Sequence, residues 1–304
     1  MIDPLSLGAT LYVPATRDDL AVVILQRRHV DLRSLVICLE DSVDAQDLPL
    51  AMLRLEAFLV RLGATAEGEA RPLIFVRPRN RDMLVNILAL RHIDRVDGFV
   101  IPKATAASLP DYLSALAFDH HMLMPTLETR EVFDPSEMRR LREQLNAVHD
   151  RILTIRIGGN DLLQTIGARR SSRRTAYEGP LGPVIGMLVT TFSPWGYALS
   201  APVFESFGDP DVLAAEVELD IDHGLFTKTA IHPAQIGVIQ GGYRVDIDDH
   251  IAARAIRSKD RQSVFANKQV MCEPATHGVW ADNIMRRAEI FGVRQTILST
   301  PQSA

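Results

Sequence analysis

Short apolar runs alternate with longer amphipathic stretches along most of the chain. Eight runs occur, at residues 10–15, 35–40, 73–77, 98–103, 122–128, 153–158, 198–205 and 226–231. Apolar side chains recur at helical spacing between several of them, at residues 18–28, 47–62, 81–91, 134–148 and 211–222. This alternation is typical of βα units around a parallel sheet. The eight units predict a (β/α)8 TIM barrel, since a doubly wound sheet commonly has about six strands and a glycine-rich first turn.

The C-terminal part of the chain follows a different pattern. Residues 246–304 are mostly helical in pattern, and residues 284–291 give the clearest helix. We therefore predict a barrel domain over residues 1–245 and a helical C-terminal segment over residues 246–304. The segment also holds an apolar cluster that would be exposed if the segment hung free. Its members are Met271, Cys272, Pro274, His277 and Trp280.

One uncharged stretch is long enough that it could be a membrane-spanning helix. Residues 179–204 are 26 residues without a charge, whereas a helix that spans a bilayer needs roughly 20. The stretch contains four prolines and four glycines, so no single helix can run through it. We expect a buried helix near residues 184–193, a turn, and a buried strand near residues 198–204, and no membrane partner.

Composition narrows the function classes further. Lys and Arg total 33 against 38 Asp and Glu, which gives a net charge of −5 and no basic face for nucleic acid. The two cysteines, Cys38 and Cys272, are far apart in sequence and suit a reducing compartment. The N-terminal sequence lacks the pattern of a secretory signal. These features predict a cytoplasmic protein.

Polar groups stand where seven of the eight predicted strands end. In a (β/α)8 barrel the active site is built at the carboxyl ends of the strands. We therefore expect these groups to form a ring of carboxylates and cations that converges on a small anionic substrate. The groups are Glu40 with Asp41, Arg77, Lys103, Glu128, the run from Gly158 through Gly159 and Asn160 to Asp161, Glu205 and His232.

Two carboxylates indicate a metal site. Glu128 and Asp161 end neighbouring predicted strands, the fifth and the sixth. Oxygen ligands of this kind suit Mg²⁺, which takes one or two protein carboxylates and completes its shell with water and substrate. No His and Cys cluster has zinc spacing. The alternative is that both acids cap helices, and Asp161 in particular precedes a predicted helix at residues 162–166.

Arginine and glycine residues beside these acids favour an anionic substrate. Arg77, at the end of the third strand, can grip a carboxylate through two parallel hydrogen bonds, and Arg79 in the same loop competes for that role. Gly158 and Gly159 let backbone N–H groups approach a ligand just before a helix N-terminus. Lys103 is assigned to the polar ring under the site.

Two further features stay open. The basic run at residues 169–174 binds a phosphate or is a solvated loop. His232, followed by proline, is catalytic or hydrogen-bonds its own loop. The sequence contains no nucleophile elbow, Rossmann fingerprint or Walker A motif.

Seven segments in this order resemble one family. They are TLYVPA, VICLEDSVDAQD, IFVRPRN, FVIPK, PTLETR, RIGGNDL and KTAIHPAQI, between residues 10 and 239. The set resembles the HpcH/HpaI aldolase superfamily, which includes the citrate lyase beta subunit and malyl-coenzyme A lyase. The resemblance implies a (β/α)8 barrel, often trimeric or hexameric, that cleaves or forms carbon–carbon bonds in short oxo- and hydroxy-acids with Mg²⁺.

The resemblance also implies roles for individual residues. The family's metal-binding glutamate and aspartate fall on Glu128 and Asp161, and its substrate-carboxylate arginine falls on Arg77. The paired acids after the second strand fall on Glu40 and Asp41. Departures include Cys38 in place of an aspartate, Ala15 in place of a glycine, and a long insertion at residues 171–195.

The C-terminal segment departs most from the family. The lyases carry there an aspartate that is offered to a neighbouring subunit, and this chain has no clean equivalent. Glu273 and Asp282 are the candidates for that proton-transfer group. The departure weighs against the use of coenzyme A. The resemblance still implies a homo-oligomer in which this segment covers an adjacent active site.

We therefore predict a Mg²⁺-dependent carbon–carbon lyase that acts on a short 2-oxo or hydroxy acid or its acyl-coenzyme A ester. Bond cleavage leaves an enolate, which the metal stabilises as a Lewis acid. Arg77 fixes the substrate carboxylate, Glu40 or Asp41 moves the proton, and residues 158–160 with Lys103 complete the binding site. The alternatives are another oxo-acid transferase or hydrolase on the same barrel, and a non-catalytic ligand-binding or sensor subunit.

Overall fold

Eight parallel strands form the barrel that the sequence predicts. The computed structural model describes residues 2–25, 29, 31–66, 68, 70–116, 120–258, 262–268 and 270–295. The strands are β1 (Ala9–Pro14), β2 (Ser34–Cys38), β3 (Leu73–Arg77), β4 (Gly98–Ile101), β5 (Met122–Leu127), β6 (Ile155–Ile157), β7 (Leu199–Ser200) and β8 (Lys228–Ala230). Their order is β7-β6-β5-β4-β3-β2-β1-β8. A parallel bridge between Ala201 and Lys228 brings the two edges together, which closes the barrel.

Helices follow the strands. They are α1 (Leu20–Ile24), α2 (Leu48–Gly63), α3 (Arg81–Leu88), α4 (Leu109–Ala115), α5 (Pro135–Leu145), α6 (Gly159–Thr165), α7 (Leu181–Phe192), α8 (Pro210–Asp222) and α9 (Ala234–Gly242). The side chains of Asn80 and Asp134 accept hydrogen bonds from first-turn N–H groups and fix the starts of α3 and α5. Residues 26–28, the end of the first predicted helix, lie outside the described residues.

The alternation of side chains along the strands determines which face of the sheet the site residues Arg77 and Glu128 occupy. Val36, Phe75, Val100 and Met124 belong to one buried cluster on neighbouring strands. Successive strand residues point to opposite faces, so positions two or four further on share the face of these residues. Arg77 follows Phe75 by two and Glu128 follows Met124 by four. The two-residue period of the strands therefore places these charged side chains on the same face as the buried cluster, at the carboxyl end of the barrel.

The uncharged stretch folds as the predicted helix, turn and strand, but the strand has only two residues, Leu199–Ser200, where residues 198–204 were expected. Helix α7 has 12 residues. A short 3₁₀ helix, Ser193–Trp195, ends at Gly196, whose φ of 84° lies in the left-handed region that favours glycine. Strand β7 follows. In the described part of the chain, no helix combines the length and the hydrophobicity that crossing a membrane requires.

The chain divides into two compact units, Met1–Ile239 and Gln240–Ala304. The second unit contains α10 (Ile247–Arg257), α11 (Pro274–Phe291), a hairpin of β9 (Phe265–Asn267) with β10 (Val270–Cys272), and a parallel pair of Val245–Asp246 with Val293–Arg294. The predicted helix at residues 284–291 is the second half of α11. Of the predicted apolar cluster, Cys272 is buried, whereas Met271 is 58% exposed and Trp280 is 39% exposed.

Candidate active site

Three carboxylates surround Arg77 at the carboxyl end of the barrel. The Nη2 atom of Arg77 lies 2.6 Å from Glu40 Oε2, 2.9 Å from Glu128 Oε1 and 3.4 Å from Asp41 Oδ2. Glu40 and Glu128 are buried, whereas the Asp41 side chain is about half exposed. Parallel pairing of Cys38 with Arg77 brings the end of β2, which continues to Glu40, beside the end of β3. The structure thus brings together four residues predicted for the site.

Lys103 joins the same cluster through both its backbone and its side chain. Its N–H donates to Glu128 Oε1 at 2.7 Å, and its Nζ donates to Glu40 Oε1 at 2.6 Å. The backbone of Lys103 has a φ of 49°, which is uncommon for a residue with a side chain. A strained backbone at a site persists only where the surroundings hold it, so the contacts to the two glutamates account for this conformation.

One oxygen of Glu128 is left open by these contacts. Both hydrogen bonds to Glu128 end on Oε1, and no residue of the described chain donates to Oε2. Oε2 faces Gly158, where an added Cβ would lie 2.7 Å from Oε2 and 2.3 Å from the Glu128 Cβ. Gly158 is therefore required for the placement of this carboxylate, a stronger reason than the backbone approach predicted from the sequence.

Asp161 lies in the first turn of α6 and does not cap it. The helix begins at Gly159 with Gly158 as its N-cap, so the predicted helix at residues 162–166 starts too late. The reason is that Gly159 is already the first helical residue, while Gly158 before it (φ −86°, ψ 72°) is the N-cap and supplies no side-chain cap. No other residue of the described chain donates a hydrogen bond to the Asp161 carboxylate. An acid in the first turn is favourable because helix N-termini carry partial positive charge.

The electrostatics of these acids fit a cation. Burial raises the pKa of Glu128 to about 7, and Asp161 and Glu40 add to the rise, although Arg77 and the Lys103 N–H oppose it. Burial and then repulsion from Asp41 raise the pKa of Asp161. In the described residues no three His, Cys, Asp or Glu side chains are grouped to hold a metal. Two carboxylates whose pKa values are raised are the kind of protein ligand that Mg²⁺ takes, with water and substrate completing its shell.

Glu40 and Asp41 differ in their acidity. Burial raises the pKa of Glu40, and its hydrogen bond with Asp41 adds to the rise. Burial alone would also raise the pKa of Asp41, but the contact with Glu40 and attraction to Arg77 and Lys103 lower it overall. Neighbouring carboxyl groups with opposed shifts can divide the acid and base roles. Glu40 is then the group that keeps its proton longer.

Replacing Glu128 with glutamine is expected to stabilise the metal-free protein above pH 7 by between about 1 and 3 kcal/mol. In the unfolded chain the carboxyl loses its proton near 4.5, but in the folded chain only near 7. The wild type therefore loses stability as the pH rises from 4.5 to 7, whereas Glu128→Gln does not. Urea unfolding in a chelator at several pH values measures the difference. A gain that is equally large at pH 4 would contradict the burial argument.

Several other candidate residues have different partners. Arg79 donates to the backbone carbonyl oxygens of Glu40 and Val43, so it binds the loop after β2 and is not supported as a competing clamp. His232 accepts from the Ala234 N–H at 3.2 Å and stacks on Phe207, which is the loop role. Glu205 lies 4.0 Å from Arg169. Asn160 is exposed.

A buried ion cluster escaped the sequence analysis. Lys228 Nζ lies 2.7 Å from Glu216 Oε1 and 2.8 Å from Asp220 Oδ2, and all three side chains are fully buried. Arg170 pairs with the other oxygen of Glu216, so the run at residues 169–174 is not simply a solvated loop. The one available signal was a lysine inside the apolar run of the eighth strand.

Comparison with known proteins assigns the family. Residues 1–293 match the family described as C–C bond lyases of the TIM-barrel fold. The chain belongs to this family. The resemblance to citrate lyase beta subunit-like proteins, predicted from the motifs, is thereby confirmed.

Individual relatives and solved structures differ in their similarity to the chain. A (3S)-malyl-CoA thioesterase of Cereibacter sphaeroides is 26% identical over 210 residues, which are 67% of this chain and 65% of that protein. The match thus spans less than two thirds of that relative's length.

CitE from Mycobacterium tuberculosis, in complex with magnesium, acetoacetate and coenzyme A, has a TM-score of 0.69 at 22% identity over 93% of this chain and 98% of that chain. The citrate lyase beta subunit of M. tuberculosis with oxaloacetate and magnesium gives 0.58 at 21% identity, over 79% of this chain and 99% of that chain. Both structures show the same fold.

Proposed function

We propose that the chain is a Mg²⁺-dependent carbon–carbon lyase for a short 2-oxo or 2-hydroxy acid. The observation that carries the proposal is the open Oε2 of Glu128 together with the Asp161 carboxylate, beside an arginine at the mouth of the barrel. Family membership supports the reaction class. The magnesium bound by the two similar structures supports the choice of metal, and the oxaloacetate bound by one of them, a 2-oxo acid, supports the substrate class.

Each residue of the cluster then has a task. Glu128 and Asp161 hold Mg²⁺, which when bound supplies Lewis-acid stabilisation of the negative charge that develops on the substrate oxygen. Arg77 uses Nη2 to hold Glu40 and Glu128, and its Nη1, which has no partner in the described chain, binds the substrate carboxylate. Glu40 exchanges a proton with the reacting carbon. Lys103 fixes both glutamates, and Gly158, Gly159 and Asn160 line the substrate.

Replacing Arg77 with lysine is expected to weaken the binding of pyruvate at least tenfold while the fold persists. One ammonium cannot hold the two buried glutamates and also bind a ligand, as a guanidinium can. Charge-assisted hydrogen bonds contribute about 1.5–3 kcal/mol, and each ~1.4 kcal/mol is a factor of ten in affinity. Calorimetric titration with Mg²⁺ present measures the change. A shift of less than twofold would mean that another cation is the clamp.

The test of the reaction class is a panel of short hydroxy-acids, oxo-acids and their coenzyme A thioesters, followed by NMR. We expect Mg²⁺-dependent appearance of two carbon fragments from at least one compound, and no fragments in a chelator. Ligand binding without turnover across the panel would favour the non-catalytic alternative.

A second candidate function is thioester hydrolysis. The observation that favours it is the similarity to a (3S)-malyl-CoA thioesterase. Hydrolysis would release a thiol and leave the acid's carbon chain intact, whereas lyase activity would break the chain. The same NMR panel with a thiol reagent separates the two reactions.

We also propose that the chain forms a homo-oligomer and that the second unit supports it. Val270, Met271, Val279 and Trp280 expose much apolar surface there. Asp282 is paired with Arg257 by two hydrogen bonds, which leaves Glu273 as the freer acid of the two proposed for proton transfer. Light scattering that gives the mass of one chain would contradict the proposal.

A further inference from the structure

We propose a second anion site, for a phosphate group, in the loop after α6. The site is a cavity of about 570 Å³, here called the arginine cavity. Its walls present guanidinium and hydroxyl groups, which are the donors that bind phosphate oxygens. They come from Arg169, Arg173, Ser171, Ser172 and Ser206, whereas the lining residue Arg170 is buried against Glu216 and Glu205 adds one acid.

The charge of the arginine cavity is opposite in sign to that of the whole chain. Arg170 forms a buried ion pair with Glu216, which neutralises its charge inside the protein. Arg169 and Arg173 face a single acid of the lining, Glu205, which lies 4.0 Å from Arg169 Nε. Arg173 forms no ion pair within the described part of the chain. The lining therefore holds unmatched positive charge, although the chain carries a net charge of −5.

The loop that forms the cavity is held in place at both ends. Glu216 Oε2 accepts from the Arg170 guanidinium and from the Ala176 N–H, the latter at 2.7 Å. Arg170 also donates to the Val203 carbonyl oxygen. The residues on both sides of the segment 171–175 are thus bound to the same fully buried carboxylate. A loop that is already ordered loses less entropy on binding a ligand, which is what separates a binding site from a flexible basic tail.

The position of the cavity suggests what it binds. It is lined by the loop between α6 and α7 and by residues that follow β7, and both segments lie on the barrel face built by βα loops. Glu128 and Asp161 lie on the same face. The cavity can therefore take the far end of a substrate whose acid end lies at these carboxylates. This assignment to a phosphorylated acid rests on the proposed function, whereas the phosphate site itself does not.

The test is calorimetric titration with inorganic phosphate in a chelator, without Mg²⁺ or oxo-acid. We expect saturable binding to the wild type and binding at least about tenfold weaker to the double variant Arg169→Ala and Arg173→Ala, because charge-assisted hydrogen bonds are lost. The matched control is Arg139→Ala with Arg140→Ala, two exposed arginines of α5. It should bind phosphate as the wild type does. Both arginines of the test variant are exposed, so its melting temperature should not change.

Absence of saturable binding, or equal losses in both double variants, would overturn the site. Pyruvate binding with Mg²⁺ should be unchanged in the loop variant, which distinguishes this site from the carboxylate cluster. Failure of pyruvate to bind any variant would count against the proposed function and leave the phosphate result standing. A parallel titration with coenzyme A identifies the source of the phosphate. An equal affinity of wild type and loop variant for coenzyme A would point to a small phosphorylated acid.

Discussion

Replacing Gly158 with alanine is expected to reduce Mg²⁺ affinity by roughly 10- to 100-fold, the usual effect of disturbing a residue that orients a metal ligand. The added Cβ would lie 2.3 Å from the Glu128 Cβ and 2.7 Å from its Oε2, and real Cβ atoms do not approach so closely. Glu128 cannot retreat easily, because Arg77 and Lys103 hold its other oxygen. The carboxylate must therefore turn away from the position in which it faces the cation. Calorimetric titration with Mg²⁺ measures the loss.

The matched control is Gly186→Ala. Gly186 lies in α7, and apart from the backbone of that helix and its two chain neighbours no heavy atom lies within 4 Å of the Cβ it would gain. Alanine is favoured over glycine inside a helix by about 1 kcal/mol, so this variant should be as stable as the wild type or more so. Its Mg²⁺ affinity should be unchanged. Equal affinities for the two variants would show that Glu128 does not bind the metal.

Replacing Lys228 with methionine is expected to lower the free energy of unfolding by about 3–5 kcal/mol, the usual effect of removing one partner of a buried ion pair. Lys228 is fully buried and lies within 2.8 Å of both Glu216 and Asp220. Methionine fills much of the volume but leaves two buried carboxylates with one cation, Arg170. Urea unfolding gives the magnitude.

Arg140→Ala is the control for this comparison. Arg140 pairs with Glu137 at 3.0 Å, but its side chain is 67% exposed. Exposed pairs contribute only about 0–1 kcal/mol, since water screens them. A loss for Lys228→Met as small as that for Arg140→Ala would mean that the buried acids are protonated or reached by water.

The sequence predicts the barrel well because the signal is local and repeated. Each strand is a short apolar run, and each helix that follows has its own apolar spacing, so no distant contact is needed to recognise a βα unit. The ends of the strands are predicted for the same reason. Arg77 and Glu128 are found by position alone, since each ends an apolar run that predicts a strand.

The contacts among the site residues could not be predicted in this way. Glu40, Arg77, Lys103 and Glu128 are widely separated in sequence, and the sharing of one Arg77 nitrogen by three acids depends on the twist and register of the sheet. The positive φ of Lys103 has no signal in the sequence, since glycine is the residue expected there. The hairpin in the second unit was missed because its strands have only three residues each.

The buried cluster around Lys228 shows a further limit. A lysine in an apolar run normally indicates the end of a strand. Here Lys228 begins β8 and forms ion pairs with two acids of α8. The pairing satisfies a buried charge and at the same time anchors the basic loop through Glu216. From the sequence, residues 169–174 could be either a phosphate-binding loop or a solvated loop. The contact between Arg170 and Glu216, which the sequence does not indicate, bears on this choice.

We propose that Glu128 and Asp161 hold a Mg²⁺ ion that stabilises negative charge on a substrate oxygen. Removing a proton from the methyl group of pyruvate develops the same charge as breaking a carbon–carbon bond next to a carbonyl group, so the exchange of these protons in D₂O tests the claim without knowledge of the natural substrate. Asp211→Asn is the matched control, because Asp211 is an exposed acid in the first turn of α8, as Asp161 is a first-turn acid of α6. NMR should show Mg²⁺-dependent exchange with the wild type and Asp211→Asn, and only the buffer rate with Asp161→Asn or in a chelator. Equal exchange with wild type and Asp161→Asn, or exchange that persists in the chelator, would contradict the account.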